Sequence, residues 1–195
     1  MIFLDLFAIV YLILLAPIPL FFGLFQFRPD FFKRFGYWNY AVVLNIYMLT
    51  TIIVLTFLPL LTILRYPLPP AAKMIGAILI LGGLIVSTIA GRHLSLATLI
   101  ALPQIHPTRF ASKLVTTGIY GFVRHPRYGG YWLIALGLAL TTGFLVMWEL
   151  FFWAIIGFSI MAYLEEKELQ KRFGNAYKDY MTRVPAFLSK LSVLK

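Results

Sequence analysis

The polar residues best placed to do chemistry lie in one stretch, 113–131, with the sequence KLVTTGIYGFVRHPRYGGY. Arg124, His125 and Arg127 surround Pro126 immediately before a long apolar run. A charged group at the centre of a membrane helix costs about 2.5 to 3.5 kcal/mol, and less near the interface. Ionisable residues at such a depth indicate a functional site, although basic residues that flank a membrane helix are also ordinary orientation signals.

A second group of candidates is the carboxylate pair Glu165 and Glu166, which follows the same apolar run. A carboxylate there can attract a cationic ligand or accept a proton. The alternative is a solvated helix end. Negative charge near a helix carboxy terminus costs about 0.3 to 1 kcal/mol unless something compensates, although this cost falls if the helix continues. We expect the pair to close one pocket together with the 113–131 stretch.

The remaining polar residues give weaker signals. The histidines His93, His106 and His125 lack metal-ligand spacing, so no metal site is expected. His93 is better explained as a residue that caps a helix, and His106 as a loop residue. The absence of cysteine excludes disulfides and thiolate chemistry. Neither GxGxxG nor a phosphate-loop motif occurs, so a Rossmann-type cofactor site is unsupported.

The composition predicts an integral membrane protein. Of the 195 residues, 61% are hydrophobic and 12% are charged, whereas soluble domains have roughly 45–50% and 25%. The net charge of +10 would suggest nucleic acid in a soluble protein, but here the basic residues lie in short segments between apolar runs. This pattern fits membrane orientation and contact with anionic lipids, so the expected partner is the bilayer and not nucleic acid.

The apolar runs predict an all-α polytopic protein with five transmembrane helices, since each span needs about 20 apolar residues. The runs lie at 2–27, 39–64, 71–90 and 128–164, and the last is long enough for two arms of a tight helical hairpin. A short cytoplasmic helical tail follows, with Gly174 ending its first helix.

Basic residues predict the orientation. With the amino terminus outside, every Lys and Arg except Arg65 and Lys73 lies on the cytoplasmic side, as membrane topology favours. The candidate pocket then faces the cytoplasm. The chain is expected to form a single integral-membrane domain, in which residues 1–100 are a helical scaffold and residues 101–195 bind cofactor and carry out catalysis. Within the scaffold, a ridge of small residues favours close helix packing: Gly83, Ser87 and Gly91.

Two linked motifs carry a family resemblance. GIYGFVRHPRY, followed at the right separation by EEKELQKRFGNAYKDYMTRVP, resembles the isoprenylcysteine carboxyl methyltransferase and phospholipid N-methyltransferase superfamily. These are integral-membrane enzymes that use S-adenosylmethionine. The likeness covers about 112–187, whereas the first hundred residues match only as hydrophobic helices. It implies methyl transfer to a lipid-embedded acceptor, either an isoprenylcysteine-type carboxyl or a phospholipid amine.

The resemblance also implies which residues form the site. Implied cofactor-binding residues are Gln104, Ser112, Lys113, Leu114, Val115, Tyr120, His125, Pro126, Arg127, Tyr128 and Glu166, with Gln104 only near a family glutamine contact. Implied catalytic residues are Glu165, Arg124 and His125. The backbone of 112–115 would meet the adenosyl portion, the two tyrosines would form aromatic walls, and Arg124 with His125 would pair with the cofactor carboxylate. The glutamates would contact cofactor or acceptor.

One departure leaves the acceptor open. The isoprenylcysteine enzymes carry an arginine one turn before the first glutamate, where this chain has Met161. Two other functions stay open on the sequence: an NADPH-dependent sterol-type membrane reductase, whose carboxy-terminal helices are similar, and a non-catalytic membrane protein.

Overall fold

The computed structural model describes residues 2–19, 34, 36–95, 98 and 113–187. Its helices are α1 (Ile2–Leu15), α2 (Trp38–Thr56), α3 (Leu58–Ile63), α4 (Pro70–Arg92), α5 (Pro126–Thr142), α6 (Leu145–Phe173) and α7 (Asn175–Arg183), with a 3-10 turn at Gly118–Gly121. The described ranges contain no strand beyond one isolated bridge, so the all-helical prediction is confirmed there. Gly174 directly follows α6, as predicted.

Three of the described helices, α2, α4 and α6, are long and apolar enough to cross a membrane. This confirms the prediction of an integral membrane protein. Helix α1 is apolar but shorter, and the part of its predicted span beyond residue 19 lies outside the described residues. Helix α5 has 17 residues. The five-span topology and the transmembrane hairpin therefore stay predictions.

Helices α4 and α5 approach closely because glycines face each other across their interface. A Cβ atom on Gly83 would lie 2.6 Å from the Gly130 carbonyl oxygen, and one on Gly76 would lie 2.7 Å from the Gly137 carbonyl oxygen. Small residues allow this approach of helix backbones in membranes. The predicted ridge is confirmed at Gly83 but not at Gly91, where a Cβ would meet no described atom within 4 Å.

Helix α6 packs along α5 in the opposite direction. The Trp132 indole donates a hydrogen bond to the Ala154 carbonyl over 3.0 Å, and the Tyr128 hydroxyl donates one to Glu165 over 2.8 Å. Tyr128 lies closer to the start of α5 than Trp132 does, and its partner lies closer to the end of α6. This arrangement brings the segment before α5 next to the carboxylates that follow the apolar part of α6.

The other end of the α5–α6 pair is joined to the first helix. Gly143, with φ at 70°, forms the turn between the two helices, and its carbonyl accepts a hydrogen bond from the Tyr66 amide over 2.9 Å. The Arg65 guanidinium lies 2.9 Å from an Asp5 carboxylate oxygen and 4.2 Å from the Phe144 ring centre. Asp5 and Arg65, the second of which was predicted to lie on the outer side, therefore neutralise each other at one end of the helices.

The glycine contacts predict a position-specific effect on stability. Gly83→Ala should lower the stability of the detergent-purified protein by about 1 to 3 kcal/mol, because the new methyl group meets the α5 backbone. Gly82→Ala is the matched control, since a Cβ there meets no described atom within 4 Å. Thermal unfolding of both variants tests this, and equal melting temperatures would contradict the close packing.

Candidate active site

The segment before α5 is held by residues 184–187, which we call the strap. The Arg124 amide donates to the Pro185 carbonyl and the His125 amide donates to the Ala186 carbonyl, each over 2.9 Å. Neither amide is part of a helix, so each needs a partner of this kind where water is excluded. The strap therefore fixes the backbone at the start of α5.

Arg124 ties the strap to α6. Its Nε and Nη2 atoms lie 2.8 and 2.7 Å from one Glu166 carboxylate oxygen, and the two side chains are only 9% and 13% exposed. Its Nη1 atom donates to the carbonyl oxygens of Met181 and Val184. Charge-assisted contacts of this kind are strong and directional. Arg124 thus positions three segments relative to one another.

His125 lies between the two glutamates. Its Nε2 atom is 3.1 Å from a Glu166 oxygen and its Nδ1 atom is 3.6 Å from a Glu165 oxygen, and the residue is 6% exposed. The Tyr128 ring stacks on the imidazole with 5.5 Å between ring centres and donates its hydroxyl to Glu165. The structure therefore brings the basic segment and the carboxylate pair into one site, as the sequence indicated.

A stack of aromatic rings separates this polar cluster from the apolar core. The Tyr128 ring lies 4.9 Å from the Phe158 ring, and His125 lies 5.6 Å from Phe187 of the strap. Phe187 in turn lies 4.5 Å from Trp132 on α5. Phe158 is fully buried in the main hydrophobic core. The stack thus adds apolar contacts to the polar contacts that orient His125 and Tyr128.

Tyr120 connects the 3-10 turn to α4 and α7. The Tyr180 hydroxyl donates to the Tyr120 carbonyl over 2.6 Å, and the Tyr120 hydroxyl lies 3.4 Å from the Ala90 carbonyl. Burial raises the pKa of Tyr180 to about 12 and also raises the pKa of Tyr120, so both hydroxyls stay protonated at neutral pH. His93, the residue that caps α4 as predicted, packs edge-on against Tyr120.

These side chains surround an open cavity. Among its lining residues are ten that the sequence predicted: Lys113, Leu114, Val115, Tyr120, Arg124, His125, Pro126, Arg127, Tyr128 and Glu165. Glu166 does not line it but contacts Arg124 and His125. Gln104 and Ser112 lie outside the described residues.

Sequence reasoning missed part of the cavity wall. The additional lining residues are Leu94, Thr98, Glu168, Leu169, Arg172, Phe173, Tyr177 and Tyr180. Four of them follow Glu165 on α6 at intervals of three, four, seven and eight residues, which places them on the same helix face. That spacing is visible in the sequence. The contribution of the α7 tyrosines depends on the direction that the chain takes after Gly174, and this direction is not visible in the sequence.

Residues 71–176 match the family model for phospholipid methyltransferase. This chain belongs to the phospholipid methyltransferase family. The matched segment begins in α4 and ends in α7, so it includes the glycine interface and both polar halves of the site. The strap lies beyond it.

Two curated relatives match part of this family member. It is 34% identical over an alignment of 105 residues to a protein-S-isoprenylcysteine O-methyltransferase from Schizosaccharomyces pombe, and the match covers 49% of this chain and 44% of that protein. It is also 34% identical over an alignment of 85 residues to the Delta(14)-sterol reductase LBR from Gallus gallus, and that match covers 42% of this chain and 13% of that protein. The chain thus spans less than half of either relative, and the two names denote different reactions.

The Glu166 contacts predict a large effect on stability. Glu166→Gln removes the negative charge shared by Arg124 and His125, and we expect a loss of about 3 kcal/mol because two nearly buried basic groups lose their carboxylate. Asp179→Asn, at an exposed site on α7, should change stability by less than about 0.5 kcal/mol. Unfolding of the purified variants in detergent measures both. Similar stability for the two variants would show that the buried contacts contribute little.

Proposed function

We propose that this protein transfers a methyl group from S-adenosylmethionine to an acceptor dissolved in the membrane. The observation that carries the proposal is the position of Glu165. Its carboxylate lines the cavity, is held by the Tyr128 hydroxyl and His125, and lies where the apolar run of α6 ends. A polar ligand from water and an apolar ligand from the bilayer can meet there.

The cavity has groups that suit each part of the cofactor. Basic side chains, Lys113 and Arg127, can take up a carboxylate, and Glu165 can attract a positive charge. Leu114, Val115 and the aromatic rings of the wall offer an apolar surface for a nucleobase. The residues present therefore fit S-adenosylmethionine, which supplies an activated methyl group on a sulfonium when bound.

The side chains of this chain contribute mainly by positioning, which can lower a barrier by several kcal/mol when reactants are aligned. Glu165 is the group that accepts the proton an acceptor amine releases, with Tyr128 and His125 fixing the orientation of its carboxylate. His125 lines the cavity beside it. Arg124 acts through Glu166 and the strap, because its guanidinium already has those partners.

For the acceptor, the phospholipid amine is favoured over the isoprenylcysteine-type carboxyl. Met161 stands where the isoprenylcysteine enzymes carry an arginine, and it is 2% exposed within the hydrophobic core. Residue 161 therefore offers no cation to an acceptor carboxylate.

The proposal also includes the membrane topology. The chain has five spans, the last two of which form a hairpin, with the amino terminus outside and the site facing the cytoplasm, as the distribution of basic residues favours.

Calorimetry of the detergent-purified protein with S-adenosylmethionine, S-adenosylhomocysteine and NADPH tests the proposal. Micromolar binding of the first two supports it, and a radiolabelled methyl assay on lipid extract then identifies the acceptor. Binding of NADPH alone would favour a reductase, which the similarity to the sterol reductase keeps as the second candidate. Binding of none of them would favour a non-catalytic protein.

Replacement of the proposed base should slow the reaction without disrupting the fold. For Glu165→Gln we expect kcat/KM to fall by about 100-fold or more, because the amide cannot accept the proton while its oxygen still accepts the Tyr128 hydrogen bond. Methyl transfer to phosphatidylethanolamine in mixed micelles measures this. Glu149→Gln is the matched control on the same helix, about 24 Å away along its axis. A Glu165→Gln enzyme with the wild-type rate would exclude this role.

A further inference from the structure

Arg127 differs from the other arginines of the cavity. Arg124 and Arg172 also line it, but each contacts a glutamate side chain. Arg127 has no carboxylate partner within the described part of the chain, and its one hydrogen bond there runs from Nη2 to the Tyr131 hydroxyl over 2.9 Å. A guanidinium carries five N–H donors, so most of those on Arg127 have no protein acceptor in these ranges.

Tyr131 limits how the Arg127 guanidinium can move. The guanidinium carbon is 5.9 Å from the Tyr131 ring centre, in addition to the hydrogen bond to its hydroxyl. The Tyr131 ring packs 5.4 Å from the buried Phe158 ring, and its backbone carbonyl accepts a hydrogen bond from Tyr11 on α1. Arg127 is therefore attached to a side chain that is itself anchored in the core. Such anchoring reduces the entropy that a bound ligand must offset.

A partly buried cation without a counter-ion is unfavourable unless a ligand provides one. Lys113, the cavity's lysine, is exposed and well hydrated, whereas Arg127 is half-buried beside the aromatic wall. Arginine is also the residue whose planar fork matches carboxylate and phosphate oxygens. The cavity thus contains a pre-oriented site for an oxyanion.

We propose that Arg127, rather than Arg124 or His125, is the residue that binds an oxyanion of a ligand in this cavity. The inference rests on the proposed function, which supplies two sources of that chemistry. One is the amino-acid carboxylate of the methyl donor, and the other is the headgroup phosphate of the lipid acceptor. Arg124 and His125 are unsuited to the role because both already contact the Glu166 carboxylate.

Binding of two nucleosides to Arg127→Gln tests the first source. S-adenosylhomocysteine carries the carboxylate, and 5′-methylthioadenosine has the same nucleoside and thioether without it. Loss of the charge-assisted contacts should weaken S-adenosylhomocysteine binding by about 10- to 100-fold and leave 5′-methylthioadenosine binding unchanged. Arg92→Gln is the matched control, because Arg92 is exposed and outside the cavity lining.

A second test labels Arg127 of the wild-type protein with phenylglyoxal and detects the label by peptide mass spectrometry. This test does not depend on the folding of a variant. Protection by S-adenosylhomocysteine but not by 5′-methylthioadenosine assigns the donor carboxylate. Protection by micelles containing phosphatidylethanolamine but not diacylglycerol assigns the headgroup phosphate. If no oxyanion protects Arg127, the inference is wrong. If the wild-type protein binds neither S-adenosylmethionine nor S-adenosylhomocysteine, the proposed function fails, and the phospholipid comparison still decides the role of Arg127.

Discussion

The Glu166 carboxylate is the interaction on which the geometry of the site depends. One of its oxygens contacts both the Arg124 guanidinium and the His125 imidazole, and all three side chains are largely removed from water. Burying three ionisable groups is unfavourable unless each finds its partner, so the position of one determines the positions of the others. Through Arg124 the same contact extends to the carbonyl oxygens near the end of α7. A helix, a loop and a tail are thereby fixed around one carboxylate.

The glycine interface provides the rigid surface behind that cluster. Because α4 and α5 are in backbone contact at Gly83 and Gly130, the start of α5 has little freedom to shift relative to α4. The 3-10 turn before α5 returns to α4 at Ala90 through Tyr120. The cavity is therefore built on closely packed helices, and its polar residues come from the loops and helix ends that these helices hold in place.

The sequence predicted the parts of this site that depend on local pattern. Hydropathy marked the apolar helices, the glycine at 174 marked the end of α6, and the RHP and EE motifs marked the two polar halves. The resemblance then supplied ten residues that line the cavity. These features can be predicted from the sequence because each is determined by neighbouring residues in the chain.

The long-range pairings could not be predicted in the same way. Arg124 contacts Glu166, 42 residues away, and no local pattern predicted that pairing. Many basic and acidic residues could have paired, and only the three-dimensional packing selects among them. The facing glycines on α5 were missed for the same reason, since a small residue in a helix does not reveal which neighbour it approaches.

The strap has a consequence for the order in which the protein is assembled. Helix α5 contacts α4 and α6 without residues 184–187, and those residues are synthesised after all three helices. Until then the amides of Arg124 and His125 lack the carbonyl groups that hold them. The packing of these helices and the completion of the polar site thus depend on different parts of the chain, and the site is finished by residues that follow the helices it joins.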